Sequence, residues 1–62
     1  MWDFLFAFNE YSENEGENFF VECESLEKAW TILEMSGINS DEIEYIGRYT
    51  LEEAEILGYD TY

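Results

Sequence analysis

The chain has 62 residues, sixteen of them acidic and two basic, for a net charge of −14 at pH 7. That length makes a single domain, residues 1–62, near the lower limit for a core that folds without help. A lone Cys23 rules out an internal disulfide, the lack of histidine removes the usual zinc sites and Ser–His or Cys–His nucleophiles, and Lys28 and Arg48 cannot neutralise a nucleic-acid backbone.

Residues 2–8, WDFLFAF, alternate: Trp2, Phe4, Phe6 and Phe8 on one face, Asp3, Leu5 and Ala7 on the other. The pattern predicts a strand, and two fairly apolar faces place it in the centre of a sheet. Residues 9–18, NEYSENEGEN, form a polar loop in which Gly16 is free to take positive φ. FFVEC, residues 19–23, makes a second strand, and pairing Phe8 with Phe19, Phe6 with Val21 and Phe4 with Cys23 matches the apolar faces of an antiparallel hairpin.

Ser25 is a good N-cap for a helix carrying Leu26, Ala29, Trp30 and Leu33 on one side, with Gly37 as its stop. A third strand is expected near 42–49, where Ile43 and Tyr45 alternate with Glu44 and Ile46 and Gly47 marks a bulge. Thr50 and Glu53 stand at capping-box spacing and open a short helix through Leu57, closed by Gly58. YDTY is then a tail. The expected class is α+β, in the order ββαβα. A right-handed crossover over strand one gives a three-stranded antiparallel sheet of order 2-1-3, with both helices on one face.

No reaction chemistry emerges. Glutamates flank Cys23, which reads as a small core residue and not as a lowered-pKa thiol. Carboxylates are everywhere, so no glycosidase pair is distinguished. Residues 11–22 place Glu13, Glu15, Gly16 and Glu22 at the calcium-hand positions three, five, six and twelve, but Tyr11 stands first and strands flank the loop. A solvated hairpin loop is the better account; no metal and no cofactor are expected. FLFAF is too short to cross a bilayer, and −14 is repelled by anionic lipid, so no membrane partner is expected and the cytosol is the expected compartment.

The charge itself is the functional clue. Fourteen charges correspond to about 24 Å of B-form duplex at ~1.7 Å per charge, and a chain of this length has a radius of gyration of about 11 Å. A basic groove on a nucleic-acid-binding protein therefore meets a charge density of the order it is built for, and would steer the encounter. Loop residues Glu13, Glu15 and Glu17, together with Phe20, Glu22, Glu44, Tyr59, Asp60 and Tyr62, form the expected partner-binding set, the tyrosines as anchors. If both helices cover the Phe4–Phe6–Phe8 face, the reverse face exposes Leu5, Ala7, Phe20 and Ile46 within a rim of Asp3, Glu22, Glu44 and Arg48. That anatomy fits an oligomer interface, and a core this small gains from one.

In length, charge and compact sheet-and-helix layout over the whole chain, the sequence resembles the small acidic anti-defence proteins of phages, of the anti-CRISPR or DNA-mimic type. The resemblance carries no motif and transfers no residue. It implies a non-enzymatic, phage-encoded inhibitor that blocks a host nuclease or effector. The alternative is a small homo-oligomeric assembly module whose charge serves solubility.

Overall fold

The first strand, β1 (Trp2–Phe8), lies between β2 (Asn18–Cys23) and β3 (Ile43–Tyr49), antiparallel to both. The computed structural model describes residues 1–62 and completes the fold with helices α1 (Leu26–Met35) and α2 (Leu51–Leu57) and a short strand β4 (Asp60–Thr61). The class is α+β. The sheet, however, has four strands in the order β3-β1-β2-β4, and β4 runs parallel to β2. The expected three-stranded antiparallel sheet is thus corrected to a mixed one. Four residues, YDTY, are too short a run to announce β4; the edge of β2 captures it, and the Tyr62 N–H donates to the Phe20 carbonyl at 2.7 Å.

That strand also moves a helix. The connection through α1 carries the chain from β2 across β1 to β3, and the connection through α2 carries it back to the far edge. Two crossovers of the same hand that travel in opposite directions must pass over opposite faces. So α1 covers one face and α2 the other, and the expectation of both helices on one face is corrected.

Each face has its own core. Phe4, Phe6, Phe19, Val21, Cys23 and Ile43 pack under Ala29 and Leu33 of α1. Phe6 is fully buried, with Trp30 edge-on at 5.0 Å and Phe19 stacked at 5.8 Å. On the other face Leu5 and Phe20 pack against Ala54 of α2, with Tyr49 beside them, and Ala7 is buried as well. The reverse face is therefore covered: Leu5, Ala7 and Phe20 are 4%, 8% and 1% exposed, and only Ile46 of the expected oligomer interface remains open.

The hairpin register differs by two residues from the expected one. Phe6 pairs with Phe19, Phe4 with Val21 and Trp2 with Cys23. A slip of two keeps every side chain on its face, so alternation alone cannot distinguish the registers. The loop decides: the Phe8 N–H donates to the Glu17 carbonyl at 2.9 Å and the Gly16 N–H donates to the Phe8 carbonyl at 3.1 Å, with Gly16 at φ +89°. The ladder thereby extends into the acidic stretch before the chain turns.

Between Tyr45, opposite Phe6, and Gly47, opposite Leu5, Ile46 has no partner on β1. This bulge reverses the alternation of β3. Tyr45 faces α1, whereas Tyr49, opposite Asp3, faces α2. Arg48 accordingly leaves the expected rim of Asp3, Glu22 and Glu44 and lies over the Trp2 ring, 4.0 Å from its centroid.

The helix ends follow from their caps. Ser25 Oγ accepts from the Lys28 N–H, and at the other end of α1 the N–H groups of Gly37 and Ile38 return to the carbonyls of Glu34 and Leu33, with Gly37 at φ +85°. In α2 the Glu53 N–H donates to Thr50 Oγ1 while Glu53 accepts from the Thr50 N–H. The carboxylate at the start of α2 also complements its N-terminal dipole.

Candidate functional site

Of the sixteen acids, Asp3 is buried and Glu42 half-buried; all the others are exposed. Counter-charge is nearly absent. Lys28 pairs with Glu24 at 3.0 Å in an exposed i,i+4 bridge, and Arg48 is engaged by Trp2. The Lys28 hydrogen bond, and then its charge, hold the Glu24 carboxyl below the usual carboxylate range. The remaining carboxylates face solvent over a body of 30 × 21 × 15 Å.

The expected partner-binding residues separate into three groups, with Phe20 buried apart from them. Glu13 and Glu15 project from the loop between β1 and β2, held by turns that include the Ser12 N–H donating to the Asn9 carbonyl at 3.1 Å. The loop is pinned to the far edge of the sheet by Asn9, whose side-chain amide donates to the Asp41 carbonyl at 2.8 Å. Glu17, Tyr59, Asp60 and Tyr62 converge on a cleft of about 500 Å³ with Phe8 and Phe19 in its wall. Glu22 and Glu44 lie on the α2 side of the sheet, opposite Asp3 and Ala7 of β1. Glu44, on β3, is across the sheet from the cleft.

The cleft exists because β4 docks. Tyr59 and Tyr62 straddle the edge of β2, one ring on each face: Tyr59 is 6.0 Å from Phe20, and Tyr62 is 5.8 Å from Phe19. Both rings stay about half open, at 41% and 53% exposure. Ordered aromatic rings beside open carboxylates offer a partner contact area at little further entropic cost. Phe20 is different. At 1% exposure it supports Tyr59 and Tyr49 from within and touches no solvent-side partner itself.

Sequence reasoning placed Asp3 only in the charged rim of the expected oligomer interface, not among the partner-binding residues. Its carboxyl is 4% exposed, its Oδ1 has no hydrogen-bond partner, and Glu22 stands directly opposite on β2. Burial, and then the Glu22 charge, raise its pKa. The available signal was a single charge inside WDFLFAF, in a strand whose other residues are all apolar. Cys23 is buried, with its thiol directed at the Ser25 carbonyl at 3.1 Å.

No three carboxylate or thiol groups converge in an arrangement that could hold a metal ion, and no helix is long and apolar enough to cross a membrane. No family model matches the chain, and neither a curated protein nor a solved structure matches it. What the fold and the surface define is a small α+β domain with an almost unneutralised acidic exterior.

Proposed function

We propose that this domain is a non-enzymatic acidic inhibitor that occupies the basic groove of a nucleic-acid-binding protein as a DNA mimic, the target being a defence nuclease or effector. One observation carries the reading: fourteen net negative charges lie on a body 30 Å long with a single exposed ion pair among them. The same length of duplex carries about 18 phosphates. The density is comparable, and carboxylates fixed to a folded body replace phosphates fixed to a helix.

The division of labour follows from the geometry. The loop acids Glu13, Glu15 and Glu17 steer the encounter, and Tyr59 and Tyr62 at the cleft hold the complex. The test is competition, with labelled DNA on a basic nuclease or effector read by anisotropy as the domain is added. Displacement that weakens with salt supports mimicry. Nucleic acid that stays bound at full affinity while the domain is also bound overturns it.

The second reading, self-association, is favoured by a different surface from the one expected. Leu51, Ile56 and Leu57 of α2 are 48%, 85% and 44% exposed. Sedimentation at micromolar concentration distinguishes a dimer, dissociated by Ile56→Glu, from a monomer.

A further inference from the structure

Beside α2 lies a hollow of about 280 Å³ whose floor is Asp3 and whose walls include Glu22, Phe20, Tyr59 and Glu55. Taking ~30 Å³ per water, its volume equals that of about nine waters. Two features make it unusual. The first is a pair of acids directly opposed across β1 and β2, where Cβ atoms stand ~4.5–5.5 Å apart and like charges destabilise. The second is independent of that pairing: the Asp3 side chain is more than nine-tenths buried, with Oδ1 lacking any hydrogen-bond donor. A buried ionised group without a partner is among the more expensive features a small fold can carry.

Nothing in the chain relieves it. Around Asp3 stand Glu22 from β2, Tyr49 from β3, Glu55 from α2 and Tyr59 ahead of β4, and none of them is a cation. Lys28 is held by Glu24, and Arg48 lies against Trp2 on the opposite face. The lining offers three carboxylates, of Asp3, Glu22 and Glu55, and aromatic rings. That combination suits a planar organic cation better than a hard metal ion, which demands a fuller shell of oxygens.

We infer that this hollow receives an arginine side chain of the basic partner, its guanidinium bridging the Asp3 and Glu22 carboxylates with its plane against the Tyr59 ring. A guanidinium supplies donors in a fixed fork, so one side chain reaches two neighbouring carboxylates and stacks on an aromatic face at the same time. The inference rests on the reading of the domain as a binder of basic proteins and adds the side chain that anchors it. The raised pKa of Asp3 fits an empty cation seat, and occupancy reverses that shift.

The experiment needs no partner protein, so its outcome is separable from that of the competition assay. Acetyl-arginine amide is titrated into the domain while side-chain carboxyl carbons are followed by NMR, with tetramethylammonium chloride at equal ionic strength as the control. The expected result is a saturable shift at Asp3 and Glu22, absent with the control salt, and a fall in the Asp3 titration midpoint. Asp3→Asn and Glu22→Gln should each remove saturation, while Glu13→Gln leaves it intact. A response that is linear, equal in the control salt, or unchanged in both pocket variants overturns the proposal. Saturation by arginine in a domain that fails to displace DNA would leave the arginine seat standing and remove the mimicry.

Discussion

Raising the salt concentration should stabilise the free domain strongly, and the structure gives the scale. Spreading the −14 charge over a sphere with the observed radius of gyration of 10.9 Å gives a radius of about 14 Å. Its self-repulsion in water falls from about 20 kcal/mol at a 30 Å Debye length to about 10 kcal/mol at 8 Å. The unfolded chain, with a radius of gyration of about 24 Å, gains only about 4 kcal/mol from the same change. The difference, about 6 kcal/mol, is a ceiling, because unfolded chains are more compact than the size used here and so also gain from screening. Each kcal/mol moves Tm by about 8 °C in a chain of this length. Melts followed by circular dichroism at pH 7 should therefore rise between about 10 and 150 mM NaCl, with ~48 °C as the upper bound. A flat or falling Tm refutes the claim that the acids stand unneutralised. If the proposed function holds, binding to a basic partner should have the opposite sign, with salt loosening the complex while it firms the free domain.

Two further outcomes follow from the α2 side of the sheet. Phe20→Ala removes the centre of the second core and should cost about 3–5 kcal/mol. Total stability for this length is about 3–9 kcal/mol, so the variant should be largely unfolded or melt far earlier. A Phe20 variant with wild-type urea stability would mean the ring is not a core residue. Asp3 makes the fold less stable when ionised: its raised folded-state pKa imposes a penalty present above that pKa, which disappears as pH falls to the unfolded value. Stability should therefore rise as pH is lowered from 7 toward the ordinary carboxylate range, and Asp3→Asn should exceed wild type by about 1 kcal/mol at pH 7 with a shallower pH slope. Urea titrations at both pH values check this, and an Asp3→Asn protein less stable at pH 7 would contradict it.

Local signals in the sequence were read more easily than nonlocal ones. Ser25, Gly37, Thr50, Glu53 and Gly58 act within one turn of their own position, so type and spacing alone located the helix ends. The α+β class follows from the same local periods. Register, by contrast, depends on backbone bonds inside a polar loop, and a two-residue slip leaves the apolar pattern intact. The placement of α2 depended on β4, whose two residues, Asp60 and Thr61, carry no hydrophobic alternation and are ordered by an edge supplied elsewhere. One hint was present: Leu5, Ala7 and Phe20 made the second face of β1 and β2 too apolar to be left bare. Of the candidate site, the tyrosines and loop acids were visible as residue types. Asp3 was read only as an exposed rim charge, because its importance comes from burial and from Glu22 across the ladder.

The bulge at Ile46 also sorts the chain's scarce positive charge. Had β3 continued without interruption from the pairing of Tyr45 with Phe6, Arg48 would stand opposite Asp3, beside Glu22, and the domain would carry an internal ion pair there. One unpaired residue shifts the phase of the strand, and the guanidinium is turned to an indole on the far side of the sheet. The polarity of the hollow is thus set by backbone counting as much as by the acids that line it. A domain with the same composition and an unbroken third strand would seat its own guanidinium beside Asp3 and leave no room there for the proposed arginine, although its net charge would be the same.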